Sequence, residues 1–270
     1  MSENPRSWKK PVAWGCGLLV LLPMLGVFVI GARTCAPLGA AREAQTELEQ
    51  QFGPAGSFTP EPDGAIPADR VQVFIKVRDS LSDTCNDFAT MLAPMDRLAE
   101  LDGNDPSIEE ITAATGGLAK TAVGITPRLG EFYAARNQAL LDQGMGLGEY
   151  VYIYALAYQQ QLLDSRHLDS VFAEGRAIPP ETAAVLLKIL QNHGRVLNGT
   201  VLERERALLD AEFAAMQSDP KRLLWQDQVP ESMAGSLAAY RAELDAGFCR
   251  ATSGVATDLS SLRAIMLALD

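Results

Sequence analysis

The sequence predicts an all-α protein: one N-terminal transmembrane helix followed by an extracytoplasmic antiparallel helical bundle. Three observations predict it. Residues 11–32 form an uncharged apolar run, PVAWGCGLLVLLPMLGVFVIGA. Apolar residues in the remainder recur at steps of three and four, the helical period. Alternating apolar and polar runs joined by hairpin turns are absent from the sequence.

As a helix the apolar run rises ~33 Å, enough to cross a hydrocarbon core of about 30 Å. Arg6, Lys9 and Lys10 precede it and Arg33 follows it, so the basic excess lies on the N-terminal side. By the positive-inside rule residues 1–10 are a cytoplasmic tail, 11–32 a transmembrane anchor, and the rest is extracytoplasmic. Two rival readings apply to the same run. A cleaved signal peptide has a shorter apolar core, although Gly39-Ala40-Ala41 offers small residues for cleavage. A lipoprotein signal ending at Cys35 is preceded by Ala32-Arg33-Thr34, and the arginine fits poorly.

Residues 33–66 read as a juxtamembrane helix and a linker. Positions 36–52 are rich in Ala, Glu, Gln and Leu, all strong helix formers. Gly53 to Pro67 is broken by prolines and glycines and reads as linker or surface loop. The packed body, residues 67–270, starts at Pro67-Ala68-Asp69, a helix-initiating pattern. Val71, Phe74, Leu81, Cys85, Phe88, Leu92 and Met95 form its apolar stripe, with Pro94 near the end.

Asp102 to Pro106 is a turn, and Ser107 with Glu110 forms a capping box for a helix running towards Leu141, interrupted at Gly116-Gly117 and Pro127. Gly144, Gly146 and Gly148 suggest a flexible joint. They lack both the lysine of a P-loop and the spacing of a dinucleotide loop. The stretch 149–163 is apolar nearly all round and predicts a central helix. Ile178-Pro179-Pro180 leads into a helix facing inward with Val185, Leu186, Ile189 and Leu190. A charged helix spans 202–216. Pro230 opens the last helical region, whose stripe is Met233, Leu237, Tyr240, Leu244 and Phe248 and continues through Leu259, Leu262, Ile265, Met266 and Leu269.

Charge is unevenly distributed. The first 33 residues carry +3 of the chain's −11, so the remainder carries −14. Such a body repels nucleic acid and anionic lipid at long range, which argues against a nucleic-acid partner.

Of four cysteines, Cys16 lies in the apolar run. Cys85 and Cys249 sit on or beside inward stripes of the first and last helices of the packed body, which predicts a disulfide in an oxidising compartment. It would close a loop of about 165 residues, worth roughly 5 kcal/mol in the chain-entropy model. Two buried thiols are the alternative.

Candidate chemistry is sparse. Asp164 and His167 are three apart, half of the carboxylate-x-x-His pattern of helical di-metal sites, but His193 has Leu190 where the second carboxylate would stand. No metal and no cofactor is therefore predicted. Nor does a G-x-S-x-G nucleophile motif occur. Asn198-Gly199-Thr200 is a glycosylation sequon, relevant only in a eukaryotic secretory pathway. Tyr150, Tyr154 and Tyr158 fall four apart on one helical face. They could line a pocket for a cation or polar ligand, or pack as core rings. The function expected is a non-catalytic cell-envelope protein whose body binds a ligand or an envelope protein partner. The alternative is a membrane-tethered hydrolase or metal enzyme using Asp164, His167 and His193.

Overall fold

The centre of the fold follows from one unusually apolar stretch. Residues 147–157 carry almost no polar side chain, so a helix formed there must be covered on every side. In the computed structural model, which describes residues 36–101, 127–165, 178–197, 203–219 and 221–259, this helix is buried along its whole length. Backbone alone is described for 94–101 and for 165. The apolar run 11–32, Cys16, Cys35, the turn at 102–106, the Ser107–Glu110 capping box, the Asn198 sequon, His167 and the stripe from Leu262 onward lie outside the described residues.

Among the described residues the secondary structure is helical, without strands. In chain order the helices are α1 (36–52), α2 (Ala68–Ser80), α3 (Ser82–Leu101), α4 (127–143), α5 (Leu147–Ala157), α6 (Gln159–Ser165), α7 (Pro180–Leu197), α8 (Glu203–Ser218), α9 (Glu231–Ala238), α10 (Arg241–Ala246) and α11 (Ser253–Ala256). None is long and apolar enough to cross a membrane.

The boundary expected at Pro67 is displaced. Leu38, Ala41 and Leu48 of α1 are buried, and Ala41 and Leu48 belong to the same core as α5. Asn137 of α4 donates to the Ala41 carbonyl at 3.3 Å and to Gln45 Oε1 at 3.1 Å. Nor is the Pro/Gly stretch 53–66 a linker. It forms a strap that packs on α5 and α7, with a 3-10 turn at Ala55–Ser57. Asn192 of α7 donates to the carbonyls of Gly56 and Phe58, both at 3.0 Å, and Ser232 of α9 donates to that of Asp63 at 2.6 Å. Proline and glycine remove regular secondary structure without removing packing, because side chains such as Phe58 and Ile66 still seek the core.

The long stripe from Val71 is divided. The α2 helix ends at Ser80, Leu81 is a buried turn residue, and α3 begins at Ser82 and runs past Pro94. The glycine joint before α5 is a tight corner. Gly144 adopts φ +64°, Met145 behind it is fully buried, and a Cβ on Gly148 would collide with the Ala55 carbonyl. The strap thus crosses α5 at a spot where only glycine fits.

The C-terminal segment closes the body. Cys85 of α3 is disulfide-bonded to Cys249, with an S–S distance of 2.00 Å and Cα atoms 6.0 Å apart. Arg136 of α4, 1% exposed, donates to the carbonyls of Ala256 and Asp258, both at 3.1 Å, and its guanidinium lies over the Tyr133 ring. Tyr133 donates to Asp258 Oδ2 at 2.8 Å, and Thr182 of α7 to the Thr257 carbonyl at 2.6 Å.

Among the described residues one non-glycine residue, Trp225, has a left-handed backbone, at φ +57°. Its N–H donates to Glu212 Oε1 at 2.6 Å, its carbonyl accepts from Gln159, and Glu212 is paired with Arg222 at 3.0 Å. These bonds offset a conformation costing on the order of 1–3 kcal/mol.

Candidate functional site

Tyr150, Tyr154 and Tyr158 share one face, and that face is filled by protein. All three are fully buried. Phe74 of α2 lies against them at ring-centre distances of 5.4, 6.5 and 5.9 Å, and Phe248 covers Tyr158 at 5.1 Å. The remaining space is taken by Arg78. Its Nη1 donates to the Tyr150 hydroxyl at 3.0 Å, and Nε and Nη2 donate to the Gly247 carbonyl at 3.2 and 3.1 Å. The guanidinium carbon sits 5.3 Å from the Tyr154 ring centre and 5.8 Å from that of Tyr158. The cation that three tyrosines can hold is thus the protein's own, an ion–quadrupole contact in a dry core. Burial opposes its charge, but the tyrosine oxygens outweigh that and hold Arg78 above its ordinary range. Burial also pushes the Tyr158 phenol up to about 12, against the pull of Arg78.

The residues of the enzyme alternative have different surroundings. Asp164 is exposed on α6 and accepts from Gln160 at 3.0 Å. His193 is buried on α7, and its Nε2 lies 3.0 Å from the Pro62 carbonyl of the strap. A carbonyl only accepts, so Nε2 carries the proton. Burial lowers the His193 pKa below its ordinary value, against the raising effect of the Pro62 carbonyl. Among the described residues no three His, Cys, Asp or Glu side chains are grouped to hold a metal ion.

A concave feature with mixed chemistry lies where the strap crosses α5. A recess of about 380 Å³ is walled by Phe58, Pro60, Ile66 and Pro67 and by Tyr152 and Ile153 of α5. Phe58 and Tyr152 meet at 5.7 Å, tilted by 48°. Tyr152 is 1% exposed, and its hydroxyl donates to the Met233 thioether at 3.6 Å, a weak acceptor. Arg70 of α2 grips Glu149 of α5 through Nε and Nη2, both at 2.6 Å, and Nη2 reaches the Gly144 carbonyl at 3.1 Å. The bonded Glu149 carboxylate holds Arg70 above its ordinary range. Glu61 and Asp69 stand exposed at the edge.

Sequence reasoning passed over this recess. In the sequence the strap reads as a linker. Two signals were present: Arg70 in the first turn of a helix, where the macrodipole disfavours a cation, and aromatic and β-branched residues inside a Pro/Gly stretch.

No family model, no curated protein and no solved structure matches this chain.

Proposed function

We propose that the chain is a single-pass membrane protein whose helical body is a non-catalytic binding domain outside the cytoplasm. In this reading residues 11–32 anchor it, residues 1–10 stay in the cytoplasm, and the body presents a recess to a ligand or an envelope protein partner. The observation that carries the placement is the Cys85–Cys249 disulfide. Such bridges persist in oxidising compartments and are rare where thiols are kept reduced. The uncharged run and the basic residues before it support the same side. Support for binding comes from the recess between strap and α5, whose volume falls within the range of small-molecule sites.

The test is topology together with thiol state in intact cells. Protease added to spheroplasts should digest the body, and an acid-quenched sample should show Cys85 and Cys249 resistant to alkylation until reduced. A body protected from protease, with both thiols free, would overturn the proposal.

A further inference from the structure

We propose that the recess between the strap and α5 takes a small organic cation, an ammonium group carried on an apolar body. This rests on reading the domain as a binding module and names the chemistry of its ligand.

The walls decide the body of the ligand. Phe58, Ala65 and Pro67 present aromatic and aliphatic surface above the buried Ile66, Tyr152 and Ile153, which rewards burial of a ring or a branched chain. The charges decide its head. Three carboxylates, Glu61, Asp69 and Glu149, face one cation, Arg70, around the recess. Arg70 is already committed through Nε and Nη2 to both oxygens of Glu149 and to the Gly144 carbonyl, which leaves Nη1 alone of its nitrogens to meet an incoming anion. Glu61 and Asp69 have no ion-pair partner among the described residues. A positive group entering the recess therefore meets two carboxylates at the edge that are held in no ion pair, Asp69 lying in the field of Arg70, and the half-buried Phe58 ring behind them, both attractive to it. An anion meets the same carboxylates as repulsion. Residues 34–270 carry −14, so the wider field also draws cations in and turns anions away.

The experiment compares three probes of similar shape and different charge on the full chain in detergent micelles: 2-phenylethylamine, 2-phenylethanol and phenylacetate, by calorimetry and ligand-observed NMR. The amine should bind about tenfold more tightly than the alcohol, and the acid should not bind. Glu61→Gln with Asp69→Asn, both at exposed positions, should bring the amine down to the level of the alcohol and leave the alcohol unchanged. Ala65→Trp, which fills the recess, should abolish binding of both. The proposal is overturned by equal binding of all three probes, by tightest binding of the acid, by no binding of the amine, or by amine binding that survives the double substitution. Because micelles erase sidedness, these outcomes are independent of the topology test. A body found in the cytoplasm would leave the ligand chemistry standing, and an empty recess would leave the compartment standing.

Discussion

Arg78 reaches across the core to donate to the Tyr150 hydroxyl at 3.0 Å, and both residues are buried. A buried cation is normally matched by a carboxylate. Here the described partners are one phenol, one backbone carbonyl and two aromatic faces. The same side chain ties α2 to α5 and to the end of α10, so it couples three elements through one planar group.

Loss of Arg78 should therefore cost more than an ordinary truncation. Arg78→Ala leaves the Gly247 carbonyl and the Tyr150 hydroxyl buried without this donor and opens a void beside the ring stack. The expected loss is about 3–5 kcal/mol. Arg78→Lys keeps the charge but not the fork, and about half of that loss is expected. Urea unfolding followed by circular dichroism reads both. A cost under about 1 kcal/mol for the alanine variant would show that the cation is a passenger.

The Tyr158 phenol gives the fold an alkaline limit. Its folded pKa is pushed from 10.0 up to about 12 by burial, so between those values the folded state holds a proton that the unfolded state releases. The contribution is complete below pH 10 and lost as pH rises towards 12. Two units correspond to roughly 2–3 kcal/mol. Tyr158→Phe should change stability by less than about 1 kcal/mol at neutral pH and move the alkaline transition upward. Tyrosinate absorbance and circular dichroism recorded together over the same titration test it. An unmoved transition would assign alkaline unfolding to other groups.

Much of this architecture can be read from residues, and the unread part has a common physical cause. The central helix expected at 149–163 is legible because its apolar surface has no polar face to give to water, although the turn at Tyr158 divides that stretch into α5 and α6. The inward placement of Cys249 follows from the stripe through Leu244 and Phe248. What escapes is anything fixed by partners distant in sequence. Nothing local says that Asn192 and Ser232 will satisfy the strap's carbonyls, from 134 to 169 residues away. The break at Leu81 is hidden because the apolar period continues through it. The period places the three tyrosines on one face, but only the packed structure reveals that Phe74 and Arg78 occupy it.

His193 makes strap docking sensitive to acid. Burial lowers its pKa, and its Nε2–H is spent on the Pro62 carbonyl. In the unfolded chain a histidine protonates near pH 6.5. The neutral form therefore contributes fully above that value, and the contribution is lost as pH falls through the depressed folded pKa. His193→Gln keeps a donor for Pro62 and cannot ionise. The drop in unfolding free energy between about pH 7.5 and pH 5 should be smaller in this variant than in the parent. Equal drops would remove His193 from the acid response.

The glycines at the start of α5 separate a hinge from a packing contact. If residues 144–148 served as a flexible joint, alanine at any of the three glycines would stiffen the chain with similar, modest effect. The structure predicts a graded result instead. Gly144 has φ +64° but open space around its missing side chain, so Gly144→Ala should cost only the left-handed conformation, about 1–2 kcal/mol. At Gly148 a Cβ meets the Ala55 carbonyl, which is backbone and has no rotamer to yield. Gly148→Ala must push the strap off α5, which disturbs the Asn192 bonds to Gly56 and Phe58 and the wall of the recess. A loss above about 3 kcal/mol, or failure to fold, is expected. Hydrogen exchange of the strap amides distinguishes the two variants, since faster exchange should appear in Gly148→Ala alone. Matching losses and matching exchange in both would restore the hinge and detach the strap from the argument for a recess.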